Sequence, residues 1–180
     1  MALGLSGSEA RFDNDRFREP FAAAARAGLH CVAHAGEHAG PESIRAVRDV
    51  CGAERIGHGV RAVEDPALLA ELRERGIPLE VCPSSNVCLG VVPDLEHHPF
   101  DRLARAGCRV TVNSDDPPFF DTTLTDEYLR LARTFGYDPA ALADLALAGL
   151  SAAFLPEDER AALEEVFREQ AREQTARLGF

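Results

Sequence analysis

The sequence predicts an α/β protein built on a parallel sheet, and three observations carry that prediction. Short apolar strands alternate with helices through the first 116 residues, and only helices follow. Each strand ends in a polar or glycine-rich cluster. These clusters recur at similar intervals: 24 residues from His34 to His58, 24 from His58 to Cys82 and 33 from Cys82 to Asp115. A strand-helix unit of that length returns the chain to the same edge of a sheet, so the clusters gather at the C-terminal ends of parallel strands, where barrel and doubly wound enzymes hold their sites.

The elements follow from local chemistry. Ala2-Leu-Gly-Leu is the first strand, starting abruptly with no helix or cap before it. A helix runs from Asp15 to Ala27, beginning or bending at Pro20 and stopped by Gly28, and feeds the strand Leu29-His-Cys-Val-Ala. Pro41 to Val50 is helical, with proline at the first position and Gly52 just beyond the end. Arg55-Ile-Gly-His-Gly follows. Asp65-Pro66 then opens a helix with Leu68, Leu69 and Leu72 on one face, closed by Gly76, and Ile77 to Cys82 reads as a buried strand. His98-Pro99 opens another helix that Gly107 ends, and Arg109-Val-Thr-Val-Asn is the fifth strand. Helices over about 124–134, 139–150 and 157–177 complete the chain, the last with Glu and Arg at helical spacing and a solvated face. Strands this apolar suit a parallel sheet covered on both faces.

Composition excludes several classes. With 19 basic and 30 acidic side chains the net charge is −11, which repels phosphate backbones and argues against a nucleic-acid surface. No apolar run approaches a membrane span. The first seven residues lack the basic start and apolar centre of a secretion signal, so a cytoplasmic protein is expected. The five cysteines form no Cys-x-x-Cys, and they read as reduced thiols used as small core residues.

The clusters carry the chemistry. His34 can ligate a metal through its neutral imidazole, and Glu37 can move protons beside it; equally, the pair reads as a hydrogen-bonded strand-end histidine and an acid near a helix. His34-x-x-Glu37-His38 also fits an inverted metallopeptidase pattern, but that pattern needs a helix, which Gly36, Gly40 and Pro41 forbid. Asp115 and Asp116 repel each other, a cost that a divalent cation on Asp115 removes; by themselves they read more readily as a turn capping the next helix. His58, between two glycines, has little cover from its neighbours and can face a cleft, although a single histidine is more often structural. His98 before Pro99 reads as a helix-start residue, Cys82 and Cys88 as core or loop thiols, and Ser84-Ser85-Asn86 lacks the base and elbow of a serine nucleophile.

Together, His34-Ala-Gly-Glu37, Arg55-Ile-Gly-His58-Gly, Cys82-Pro-Ser-Ser and Ser114-Asp115-Asp116-Pro, in this order, closely resemble the adenosine deaminase family of purine aminohydrolases, over Gly4 to about Leu155. The resemblance implies a zinc-containing (β/α)8 TIM-type barrel, represented here by about strands 4 to 8 plus the C-terminal helices in one partial domain, residues 1–180. It implies one zinc ion per complete site, with His34 and Asp115 as metal ligands. Glu37 would protonate the purine ring nitrogen beside the amine-bearing carbon, and His58 would orient and deprotonate the zinc-bound water. Asp116 and the Gly7 backbone amide would bind the purine. The substrate would be a purine nucleoside or base, with adenosine deamination to inosine and ammonia expected first and adenine or another 6-aminopurine as the alternative.

The chain departs from the family pattern in having no His-x-His pair, which in the family supplies two more zinc ligands from the first barrel strand. A complete barrel takes about 250 residues. The 180-residue chain is therefore expected to lack appreciable activity alone, and a partner chain supplying the missing strands, or a non-catalytic remnant, is the second reading. Five strands would leave open sheet edges. Ser8 stands where the family often has Asp, which leaves substrate choice open.

Overall fold

The computed structural model describes residues 1–11 and 13–178. Its elements, in chain order, are β1 (Ala2–Leu5), α1 (Arg18–Arg26), β2 (His30–Ala35), α2 (Pro41–Val50), β3 (Arg55–His58), α3 (Pro66–Arg75), β4 (Leu79–Val81), α4 (Pro83–Cys88), α5 (Phe100–Arg105), β5 (Val110–Val112), α6 (Pro117–Phe120), α7 (Leu124–Phe135), α8 (Pro139–Ser151) and α9 (Glu157–Leu178). Short 3-10 turns occupy Glu9–Arg11, Asn14–Phe17 and Val60–Glu64.

The five strands form one sheet in the order in which they occur along the chain, and every neighbouring pair is parallel. Right-handed crossovers that always step in one direction carry their helices to one face of the sheet. This is the winding of a barrel and not of a doubly wound sheet, so the protein is α/β with a partial (β/α) barrel. The expected cover on both faces is found on one. In β2, Cys31, Ala33 and Ala35 enter the core, while His30, Val32 and His34 stay half-buried on the other face. The core lies between strands and helices, where Ile44 and Val47 of α2, Leu68 and Leu72 of α3, Phe100 and Leu103 of α5 and Leu131 of α7 meet the sheet.

Capping follows the sequence closely. The Asp65 carboxylate accepts from Ala67 N and Leu68 N at the start of α3, and Gly76 ends that helix at φ 62°, a left-handed turn open to glycine at no steric cost. Thr123 and Asp126 form a reciprocal capping box on α7, and Asp138 caps α8 through Ala141 N.

Some boundaries differ from the sequence reading, each for a local reason. Residues 14–17 form a 3-10 turn, and α1 begins at Arg18, so Pro20 sits in the first helical turn, where its missing N–H breaks no helical bond. β2 continues to Ala35 and includes His34, while β4 begins only at Leu79, after Pro78, which has no N–H to donate. Two short helices, α4 within one strand-end cluster and α6 directly after another, were not expected, and each has proline at its first position.

Phe154 ties the C-terminal helices to the opposite end of the sheet. Its ring stacks on His30 with centroids 3.9 Å apart, and the Arg55 guanidinium lies 4.0 Å from it while donating to the Ala152 carbonyl. His30 and Arg55 are the first residues of β2 and β3, so this packing leaves the C-terminal strand ends uncovered. Cys31, Cys51, Cys82 and Cys108 are buried free thiols, and Cys88 is exposed. No described helix is long and apolar enough to cross a membrane.

Candidate active site

The C-terminal strand ends bring together residues far apart in sequence. His34 projects from β2 beside Gly57 of β3, its partner in register. A Cβ at Gly57 would stand 2.4 Å from His34 Cδ2, so only glycine allows the imidazole to lie there. The His34 and His58 rings meet edge to face, with centroids 5.0 Å apart.

Glu37 follows β2 on a loop held from two sides. Ser43 Oγ accepts from Gly36 N at 2.9 Å and donates to the Gly40 carbonyl at 2.8 Å. The Glu9 carboxylate accepts from Glu37 N at 3.1 Å and from Ala39 N at 3.0 Å, joining the chain after β1 to the chain after β2. The Glu37 side chain is 9% exposed; its Oε2 lies 3.2 Å from His38 Nδ1 and 3.7 Å from His58 Nε2. Its Oε1 is buried with no hydrogen-bond partner among the described residues. Burial pushes this carboxyl above its ordinary range; Glu9 and Asp115 push the same way, while His38 and His34 oppose. A carboxyl so placed can hold a proton and deliver it.

His58 ends β3 in the left-handed region (φ 62°), as does Asp115 after β5 (φ 54°). Each such non-glycine conformation costs on the order of 1–3 kcal/mol and persists only where surrounding contacts enforce it. His58 is 2% exposed. Burial, with the charges of His34 and His38, pushes it down to about 4, and Asp115 opposes. Its Nε2 lies 4.0 Å from Asp115 Oδ2, which also accepts from Ser85 Oγ at 2.7 Å.

His34, His58 and Asp115 line one cavity with Glu80, Cys82 and Asn113. His34 also walls an adjoining cavity formed by Leu5, Ser6, Gly7, Ser8 and Glu9. The expected residues Glu37, His58, His34 and Asp115 therefore converge, and Gly7 lies across His34 from them. Asp116 is exposed and outside both linings; it takes the N-cap position of α6 without a side-chain capping bond, so the capping reading of this acid is not realised.

The donor set suits a divalent metal. Imidazole and carboxylate donors suit zinc and several other divalent ions, and Ser85 gives Asp115 the outer hydrogen bond that ligating carboxylates commonly have. Donor atoms of His58, Cys82 and Asp115 also lie within 4.8 Å of one another. Burial raises the Cys82 thiol well above its ordinary range, so the site would have to strip a proton from it before it could bind a metal.

Reading the sequence alone misses four contributors. Glu9 holds the Glu37 loop, Ser85 bonds Asp115, and Asn86 and His98 lie behind His58. The usable signal was the run Ser84-Ser85-Asn86 directly after a strand end. Weighed only as a nucleophile, it concealed three buried polar side chains directed to three different elements.

Comparison with known proteins agrees with this geometry. The chain is 48% identical over 155 residues to an aminodeoxyfutalosine deaminase of Streptomyces coelicolor, covering 86% of this chain and 40% of that protein. It is 47% identical over 161 residues to an adenine deaminase of Chelativorans sp., covering 89% of this chain and 50% of that protein. The crystal structure of an adenine deaminase from Arthrobacter aurescens superposes with a TM-score of 0.91 at 33% identity, over 95% of this chain and 52% of that one. An amidohydrolase crystal structure with bound zinc superposes with a TM-score of 0.89 at 26% identity, over 97% of this chain and 49% of that one. The chain thus spans about half the length of the relatives it matches. The family profile described as adenosine deaminase matches residues 1–170, and the chain belongs to that family of aminohydrolases.

Proposed function

We propose that this chain contributes the C-terminal part of a zinc-dependent site that hydrolyses the exocyclic amine of a 6-aminopurine, yielding the 6-oxopurine and ammonia. The observation that carries this reading is Glu37: a buried carboxyl with one unpartnered oxygen, 3.7 Å from His58 at the strand ends that also present His34 and Asp115. Adenine is the first substrate to test, because several relatives at 43–47% identity are adenine deaminases. Aminodeoxyfutalosine is the second, after the Streptomyces relative at 48% identity that is named for its deamination, and adenosine is the third.

In this reading His34 and Asp115 hold one zinc ion. When bound, zinc lowers the pKa of its water toward neutrality and so supplies the nucleophile for the amine-bearing carbon. Glu37 delivers its proton to the neighbouring ring nitrogen as that carbon becomes tetrahedral. His58 orients the attacking water, and Ser85 keeps the Asp115 carboxylate in place. Gly7 would bind the purine through its backbone amide, and Asp116, exposed beside the two cavities, would have to reach it from outside their present walls.

A catalytic zinc takes about three protein ligands. Two from this chain leave a place for others, and a His-x-His strand, upstream in the same polypeptide or on a partner chain, is proposed to supply them. Residues 1–180 then form one partial barrel domain. Five unpaired thiols fit a reducing, cytoplasmic setting.

The test is Glu37→Gln in the chain completed with such a strand. Adenine turnover is expected to vanish while zinc content stays unchanged. Undiminished turnover would remove Glu37 from the mechanism, and steady turnover by the 180-residue chain alone would remove the need for that strand.

A further inference from the structure

Behind His58 lies a buried chain of polar groups with a fixed direction. Phe100 N donates to His98 Nδ1 at 3.0 Å. His98 Nε2 stands 3.2 Å from Asn86 Oδ1, and Asn86 Nδ2 stands 3.2 Å from His58 Nδ1. The three side chains are almost fully buried, with residue exposures of 3%, 0% and 2%.

The direction follows from the backbone amide. A peptide N–H can only donate, so His98 Nδ1 accepts and carries no proton. The His98 ring must then hold its proton on Nε2, which donates to Asn86. The Asn86 amide consequently turns its oxygen toward His98 and its NH2 toward His58. A flipped amide would set two donors against each other at His98 and leave them buried and unsatisfied. His58 Nδ1 therefore accepts from Asn86, and the proton of the neutral ring lies on Nε2, the nitrogen facing Glu37 and Asp115.

We infer that Asn86 and His98 are positioning residues that fix the His58 tautomer, so that His58 presents an N–H donor to the reaction site. This rests on the functional reading above for the meaning of that site, but the tautomer itself does not depend on it. It also refines the expected role of His58. In its resting form the ring steers the attacking oxygen by donating a hydrogen bond from Nε2.

The experiment is two-bond 1H–15N correlation NMR on the full chain labelled with 15N-histidine, with His58 and His98 assigned by single substitutions and spectra recorded with and without added zinc. Both rings are expected to be protonated at Nε2 with a bare Nδ1. Asn86→Asp replaces the amide donor by a second acceptor in the same shape and is expected to move the His58 proton onto Nδ1. Nδ1–H on His58 in the wild-type chain, or an Asn86→Asp spectrum with His58 unchanged, would overturn the inference. If Asn86→Asp does not fold, the wild-type spectrum alone decides. Failure of purine deamination with this tautomer pattern intact would refute the functional reading and leave the relay standing.

Discussion

Replacing Glu127 by alanine tests whether α7 holds the site together through one carboxyl group. Glu127 is fully buried and accepts from Ser84 N at 3.0 Å and from the Thr122 hydroxyl. Ser84 begins the Ser84-Ser85-Asn86 run, so this contact fixes the register from which Ser85 reaches Asp115 and Asn86 reaches His58. In Glu127→Ala the Ser84 N–H is left buried without a partner, at a cost of about 1–3 kcal/mol. The Thr122 hydroxyl loses less, because the Thr123 carbonyl already stands 3.3 Å away. The emptied volume adds to this, for a total of roughly 3–5 kcal/mol. That is a large part of the 5–15 kcal/mol typical of a folded domain, and about 10 °C in Tm at this chain length. Glu127→Gln keeps one oxygen for Ser84 N and offers an NH2 that the Thr122 hydroxyl can accept, so its cost should stay within about 1 kcal/mol. Urea unfolding followed by circular dichroism, with unchanged m-values, measures both variants. A Glu127→Ala midpoint equal to wild type, or equal losses in the two variants, would refute the argument.

Two further predictions address the site itself. Gly57→Ala sets a Cβ 2.4 Å from His34 Cδ2, and since carbons rest about 3.5–4 Å apart the ring must retreat by about 1 Å. A misplacement of that size costs on the order of 100-fold in turnover, while the half-buried ring lets the fold absorb it; unaltered kcat/KM in the completed enzyme would show that the His34 position is not needed. The second concerns acid. Burial is the leading cause holding both His58 and His98 down to about 4, against an ordinary value of 6.5. Between those values the unfolded chain binds protons that the folded chain refuses, so stability falls as pH drops below about 6.5 and is fully present above it. The loss is on the order of 2 kcal/mol per ring by about pH 5, before most carboxylates titrate. Urea midpoints that stay level between pH 7 and 5 would contradict neutral buried rings.

Local chemistry in the sequence determined the alternation of strands and helices and most of their ends. Pro41 and Pro66 start helices, Asp65 caps one and Gly76 stops it, all through contacts within a few residues. The strand-end positions of His34, His58 and Asp115 were equally legible, because a parallel sheet returns each unit to the same edge. Short elements were not: α4 and α6 are too brief to display a helical period, and only proline marks their starts. Nor does the sequence state which face of the sheet the helices cover, since apolar strand residues such as Val32 occur on both faces; consecutive one-way winding decided that. The relay behind His58 depended wholly on tertiary structure. Asn86 lies 28 residues from His58 and 12 from His98, and no pattern links them along the chain. Their partnership exists because α4 and the chain before α5 meet the end of β3, and its direction is set by the Phe100 backbone N–H, a group that every residue but proline carries and only a fold can aim.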